Sequence, residues 1–320
     1  MTFAASAEAT REPAGCPACG GLRRGVVLEH CTDRLHGCPG EWSLLECEAC
    51  GLVAISPMPG EEQIAALYPS NYPAYQSHRA AKSALRRLLG RVAVLPYARR
   101  FGDPERLERP FGGGRMLDIG CGVGMLLGKV VDMGWRATGV DASRVAVERA
   151  KRNVPAANIL EGTLETCDLE APFDWIVMNH VLEHLPFPIQ TLEACFRLLA
   201  PGGILQIAVP NLQGVEATLF GRYWIGLDIP RHLLHFREPV LMRMLERCGY
   251  QIVSCRPQLF PSSLSESLLL LLPARLRRRV LGSALAKVLL LSSVFPAVLA
   301  CRCGNRSVIE VRARKPPARA

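Results

Sequence analysis

The stretch LDIGCGVG, residues 117–124, decides the fold. An apolar run, MLDI at 116–119, enters three alternating glycines, Gly120, Gly122 and Gly124, and a helical pattern at 123–133 leaves them. A strand feeding a helix through a glycine loop opens a parallel α/β sheet. Outward from the loop the alternation continues. Strand-like runs fall at 136–140, 157–160, 174–179 and 204–209, with helical patterns at 143–153 and 187–200 and a Pro-Gly-Gly turn expected at 201–203. A helix at 238–248, a strand at 250–256 and a last strand, SVIEVRARK at 307–315, complete the set. This order predicts a doubly wound α/β sheet covered by helices on both faces.

Glycines at such a turn let a ligand touch the backbone. Asp141 ends the next strand, 21 residues after Gly120, where a carboxylate can accept hydrogen bonds from both hydroxyls of a ribose. A dinucleotide loop would have its third glycine at position 125, which is Met125 here. Asp118, two positions before the first glycine, is poorly placed beside a pyrophosphate and well placed to meet an ammonium group. A ligand that joins a ribose to an amino-acid ammonium without phosphate is S-adenosylmethionine. The spacing favours that sulfonium donor over a nicotinamide cofactor.

CPACG at 16–20 and CEACG at 47–51 form two matching knuckles, with 27 residues between Cys19 and Cys47. Two thiolates from each can close a tetrahedral shell, so Cys16, Cys19, Cys47 and Cys50 are expected to hold one structural Zn2+. A redox dithiol is the alternative. Cys31, Cys38, His30 and His36 lie nearby but lack the knuckle pattern. The chain has 13 cysteines, an odd number, and its first fifteen residues show no basic start followed by an apolar core; a reducing cytoplasm fits better than an exported disulfide framework. Its 320 residues are 49% hydrophobic and 21% charged, which excludes a mainly disordered or collagen-like protein. A net charge of +9 permits contact with phosphates or an anionic membrane, while 6% aromatic residues offer little for a base-stacking surface.

Taken together, LDIGCGVG, VDAS at 140–143, MNHVLEHL at 178–185 and LLAPGGILQIAVPN at 198–211 resemble, in the same order, the motifs of class I S-adenosylmethionine-dependent methyltransferases over residues 113–256. The resemblance implies a Rossmann-like seven-stranded sheet whose last strand enters antiparallel, a place for 307–315. It implies that Asp118, Gly120, Cys121, Gly122 and Gly124 line the methionine end of the cofactor, and that Asp141 and Ala142 hold the ribose and flank the adenine. Thr163 and Leu164 would contact the adenine, and Asn179 and His180 would sit beside the donor. The first fifty residues, including DRLHGCPGEW at 33–42, are similar to the N-terminal zinc-binding segment of some bacterial methyltransferases, sugar C-methyltransferases among them. That likeness implies a substrate-shaping module; a zinc ribbon can also bind nucleic acid.

Methyl transfer from a sulfonium is an in-line displacement that needs alignment, exclusion of water and, for a hydroxyl acceptor, removal of a proton. Histidine suits that last task near neutral pH. HVLEH at 180–184 puts His180, Glu183 and His184 on one turn after the fourth core strand. YWIGLDIPRHLLHF at 223–236 adds His232 and His235 close to Asp228 and Arg231, where Asp228 could orient an imidazole. His184, His232 and His235 are the catalytic candidates, with Tyr68, Tyr72 and Tyr75 as candidates to shape the pocket.

Residues 264–301 combine leucine runs with Arg275, Arg277, Arg278 and Arg279. Their longest uncharged stretch, Val288–Cys301, has 14 residues, short of the roughly 18 that argue for a bilayer span. Peripheral contact with an anionic membrane, a helical cap over the pocket and a dimer face are the readings. The chain is expected to divide into a zinc-ribbon-like module (1–60), a helical linker or lid (61–112), the cofactor-binding core (113–260), an apolar basic helical insertion (261–304) and a final strand with a basic tail (305–320). The expected activity is transfer of a methyl group to a small acceptor, a sugar, natural product or lipid-linked molecule, in the cytoplasm. A nucleic-acid methyltransferase is the first alternative, disfavoured because NHVL stands at 179–182, where amino-methylating DNA enzymes carry Asp/Asn-Pro-Pro-aromatic. A catalytically silent cofactor-binding scaffold is the second.

Overall fold

A computed structural model describes residues 15–68, 113–258, 260, 262–281 and 306–317. Strands β1 (Arg24–Cys31), β2 (Trp42–Cys47) and β3 (Val53–Ser56) form antiparallel neighbours at the N-terminus, followed by a short helix α1 (Glu61–Ala66). The core then runs β4 (Arg115–Ile119), α2 (Met125–Asp132), β5 (Arg136–Asp141), α3 (Arg144–Asn153), β6 (Asn158–Glu161), β7 (Phe173–Asn179), α4 (Pro188–Leu198) and β8 (Leu199–Pro210). After α5 (Val215–Phe220) come the two-residue β9 (Leu234–His235), α6 (Glu238–Arg247), β10 (Gln251–Pro257), α7 (Ser263–Leu270), α8 (Ala274–Leu281) and β11 (Val308–Arg314).

The large sheet has seven strands in the order β10-β11-β8-β7-β4-β5-β6. From β8 to β6 the neighbours are parallel, and β11 lies antiparallel between β8 and β10. The fold class expected from the sequence is thus observed, antiparallel last strand included. Side chains alternate across a strand, and here both faces are covered. Met116, Trp175 and Val177 pack with Leu127 and Val130 of α2 and with Val147 and Ala150 of α3. Leu117, Ile119, Ile176 and Met178 enter the opposite core with Leu192 of α4 and Leu241 and Leu245 of α6. The Ser143 hydroxyl caps α3 by accepting from the Ala146 amide at 3.4 Å, a device that satisfies an otherwise orphaned donor.

Two local features differ from the sequence reading. Pro201-Gly202-Gly203 does not end a connection but lies inside β8, where Phe173 pairs with Leu199 and Trp175 already pairs with Ile204; the extra residues are taken up as an irregularity in the ladder. The second feature is β9. It adds a fourth strand to the N-terminal sheet by pairing with β3, Val53 opposite His235 and Ala54 opposite Leu234. The knuckle-bearing sheet therefore shares hydrogen bonds with the segment after β8, and Leu44, Leu52 and Ile55 belong to the same apolar core as Leu233 and Phe236. Tyr72, Tyr75 and the residues from 282 to 301 lie outside the described residues. Among those described, no helix is long and apolar enough to cross a membrane.

Candidate active site

The glycine loop leaves β4 beneath β5: the amides of Gly120 and Cys121 both donate to the carbonyl of Val140, at 2.8 and 3.1 Å. Gly120 has φ +68°, and a Cβ there would stand 2.5 Å from Cγ2 of Val181, so both the backbone and the close approach of the 180–184 turn require glycine. Cys121 is buried behind the loop, and burial pushes its thiol up.

Asp118 is 4% exposed, and its carboxyl makes no hydrogen bond among the described residues. Burial, reinforced by the charge of Asp141, pushes it up to about 8. A buried acid without a donor is the electrostatic counterpart of a missing cation, which is the fit that the ammonium of S-adenosylmethionine would make. Asp141 is differently placed. Burial raises it, while its two oxygens accept from the amides of Gly122 (2.8 Å) and Ser143 (2.9 Å). Its carbonyl accepts from Gly162 at 3.0 Å, which brings Thr163 and half-buried Leu164 alongside, with Ala142 exposed next to it. Asn179, at the tip of β7, accepts from the side chain of Gln258 at 3.3 Å. The expected cofactor residues therefore gather at the carboxyl ends of β4, β5, β6 and β7, the edge where open α/β sheets bind ligands.

Beside this edge stands a cluster of imidazoles. His180 follows β7 in the left-handed region, φ 56°, a conformation that a non-glycine residue adopts only when its surroundings impose it. Its Nδ1 lies 3.1 Å from Oε1 of Glu183. Glu183 sits in a 3-10 turn (Leu182–His184) and is fully buried. Burial works to raise its acid, but the hydrogen bond to His180 and the neighbouring imidazoles His184 and His232 outweigh it, to about 2. His184 Nδ1 lies 2.8 Å from the Tyr68 hydroxyl and 2.9 Å from the carbonyl of Arg231; burial, then His232, presses it down to about 4. His232 faces the carbonyl of Gly226 through Nδ1 at 2.9 Å, with its ring edge-on to His184 at 4.7 Å between centroids. His235 is buried, its ring 6.4 Å from that of His232, and burial holds it down to about 3. The three catalytic candidates and His180 are thus brought together from two distant segments.

Sequence reasoning did not find what holds them. Asp228, expected to orient an imidazole, instead accepts from Nε of Arg231 at 2.8 Å. Arg231, itself 1% exposed, directs both terminal nitrogens at Asp33 of the N-terminal module, at 2.9 and 3.0 Å. Arg237 grips Glu46 through two hydrogen bonds, 2.6 and 2.8 Å, and Arg243 donates to the carbonyl of Cys50 at 3.0 Å. In that module the thiols of Cys16, Cys19, Cys47 and Cys50 lie within 4.8 Å of one another, with Cys16–Cys50 and Cys19–Cys47 sulfurs 3.5 Å apart. Burial would raise Cys47, but the amides of Cys50 and Ala49 and the thiol of Cys19 bring it to about 7. Cys31 and Cys38 stay outside this cluster; the Cys38 amide donates to Asp33.

Residues 77–255 match the methyltransferase-domain family. Over 157 residues the chain is 32% identical to a ubiquinone biosynthesis O-methyltransferase of Mesorhizobium japonicum, a match that covers 47% of this chain and 63% of that one. It is 37% identical over 139 residues to the enzyme of the same name from a Caulobacter strain, covering 41% and 55%. The chain thus spans less than two thirds of these relatives' length. Among solved structures, the [4+2]-cyclase SpnF aligns at 20% identity and TM-score 0.48, covering 76% of this chain and 85% of its own. An S-adenosylmethionine-dependent methyltransferase from Mesorhizobium loti aligns at 17% and 0.46, covering 71% and 99%. Because the family match takes in more than half of the chain, the protein belongs to the methyltransferase-domain family and is a class I S-adenosylmethionine-dependent methyltransferase.

Proposed function

We propose that the enzyme methylates a hydroxyl group of a small molecule, a sugar, natural product or lipid-linked acceptor. The observation that carries this reading is the cluster of His180, Glu183, His184 and His232 one turn from the glycine loop, with Val181 against Gly120. A hydroxyl is a poor nucleophile until its proton is removed, and this group of imidazoles adjoins the loop through Val181. The relatives named as O-methyltransferases support the same acceptor chemistry. S-adenosylmethionine supplies an electrophilic methyl group on its sulfonium. On this reading Asp118 holds the amino-acid ammonium, Gly120, Cys121, Gly122 and Gly124 close on the methionine end, and Asp141 with Ala142 holds the ribose. Thr163 and Leu164 flank the adenine; Asn179 and His180 border the transferred group. With the donor bound, the acceptor oxygen would take its methyl group and release the thioether, and the histidine cluster would take the hydroxyl proton and pass it to solvent.

The test is release of S-adenosylhomocysteine on addition of hydroxylated acceptors. His232→Ala should lower turnover at least about 100-fold while calorimetry finds methyl-donor affinity unchanged. Turnover equal to the unaltered enzyme's would sink the reading. Nucleic acid as the acceptor would instead give a steep salt dependence of binding. Cytoplasmic residence, with peripheral membrane contact through residues 264–301, belongs to the same proposal.

We propose further that the four knuckle cysteines bind one structural Zn2+. The 3.5 Å sulfur contacts approach the ~3.8 Å edge of a tetrahedron with bonds of about 2.3 Å. Metal analysis of untagged protein should find zinc that Cys47→Ser releases. Four freely titrating thiols in metal-free native protein would remove this claim.

A further inference from the structure

Glu183, His184 and His232 form a second convergence of ligand atoms, distinct from the cysteine knuckles. A carboxylate oxygen and one ring nitrogen from each histidine lie within 4.8 Å of one another. Glu183 has no exposed surface; one oxygen meets His180, and the other, Oε2, is buried with no hydrogen-bond partner. An unpaired carboxylate oxygen in the interior is costly unless something cationic meets it. The two nearest imidazoles do not fill the role, because His180 Nδ1 at 3.1 Å and His232 Nε2 at 4.0 Å both face Oε1.

The surroundings of the two imidazoles point the same way. Nδ1 of His232 faces the Gly226 carbonyl and Nδ1 of His184 faces the Arg231 carbonyl, each at 2.9 Å. A carbonyl only accepts, so in the neutral rings the proton sits on Nδ1 and the lone pair falls to Nε2; the Tyr68 hydroxyl, 2.8 Å from Nδ1 of His184, is then a second acceptor there. Fixing the tautomer through a backbone carbonyl is how proteins orient histidines that bind metals. His180, hydrogen-bonded to Glu183, adds the corresponding partner for the carboxylate.

We propose that Glu183, His184 and His232 hold a first-row divalent transition-metal ion. Two imidazoles and a carboxylate suit zinc, cobalt, manganese or iron, whereas magnesium and calcium prefer oxygen throughout. Ligands at about 2.1 Å stand roughly 3–3.4 Å apart in such shells, so binding draws together ligand atoms that lie within 4.8 Å of one another in the ion-free protein. Three protein ligands leave positions open, and a hydroxyl bound there becomes more acidic. The inference deepens the acceptor reading above and rests on it for the ion's purpose, not for its binding; with the ion bound, His184 and His232 act as ligands and the more acidic hydroxyl loses its proton to solvent.

The experiment is dialysis of chelator-treated full-length protein, kept reduced, against Co2+, read by metal content and visible absorption. Thiolate ligation gives sulfur-to-cobalt charge transfer; nitrogen and oxygen ligation gives ligand-field bands alone. The unaltered chain should take up about two ions, and Glu183→Gln or His232→Ala about one with charge transfer intact. Cys47→Ser should weaken the charge transfer and leave the second ion's bands unchanged. An unaltered chain that binds one ion, all of it thiolate-ligated, overturns the proposal, as do both variants retaining the second ion. Nitrogen–oxygen bands without charge transfer in the unaltered chain would overturn the zinc-knuckle reading and leave this one standing. Methyl-donor binding by the variants reports their folding, and the unaltered chain decides the matter alone if they do not fold.

Discussion

Asp118→Asn should weaken S-adenosylmethionine binding roughly 30- to 150-fold, about 2–3 kcal/mol, the scale of a hydrogen bond to a charged group. The amide keeps the shape of the acid and removes its charge. In the ligand-free protein the Asp118 carboxyl is buried near Asp141 and raised to about 8, so it holds its proton at neutral pH. An arriving ammonium restores the carboxylate, and the proton must leave. Calorimetry at pH 7 in buffers of different ionisation heat should therefore register release of close to one proton per donor bound, a signal absent from the variant. The sign for stability follows. A folded acid titrating above its unfolded value binds more protons than the unfolded chain between about pH 4 and 8, so the ligand-free enzyme loses stability as pH rises through that window. Asp118→Asn should flatten that slope. Unchanged affinity, or heats independent of the buffer, would show that Asp118 does not read the amine.

Arg231→Met should cost about 3–5 kcal/mol of stability, because it leaves Asp33 and Asp228 as uncompensated acids in the interior. Urea unfolding measures it, and adding Asp33→Asn should recover part of the loss, since the two sites are coupled. Asp33 is subject to burial, which would raise it, but the Arg231 guanidinium and the His36 and Cys38 amides hold it well below the usual carboxylate range. This contribution is fully present above about pH 4, the ordinary aspartate value, and is lost as pH falls towards the depressed one, the reverse of the Asp118 trend. A loss under about 1 kcal/mol would mean that the pair behaves as an exposed ion pair.

These two sites differ in how far the sequence discloses them. Asp118, the glycines and Asp141 lie within 24 residues, and strand, turn and helix each carry a local period, so one segment states both geometry and chemistry. The same locality makes β4 to β8 and the strand pattern of β11 legible, and only the antiparallel entry of β11 follows from family likeness. Asp33 and Arg231 are 198 residues apart, and no periodicity links them. Leu234–His235 is too short to read as a strand without the β3 edge beside it. Glu183 is legible as a neighbour of the histidines, a carboxylate inside HVLEH, next to one histidine and three from another. What the sequence does not carry is that it is fully buried.

The pairing of β3 with β9 has a consequence for how the protein is made. During synthesis the knuckle sheet emerges before β9 and waits with one side of β3 unsatisfied until residue 235 has left the ribosome, almost 180 residues later. An open strand invites pairing with other nascent chains. Early metal capture by the knuckles would keep the segment compact through that interval, so cells short of zinc should accumulate the protein as aggregate rather than as a soluble, merely inactive enzyme.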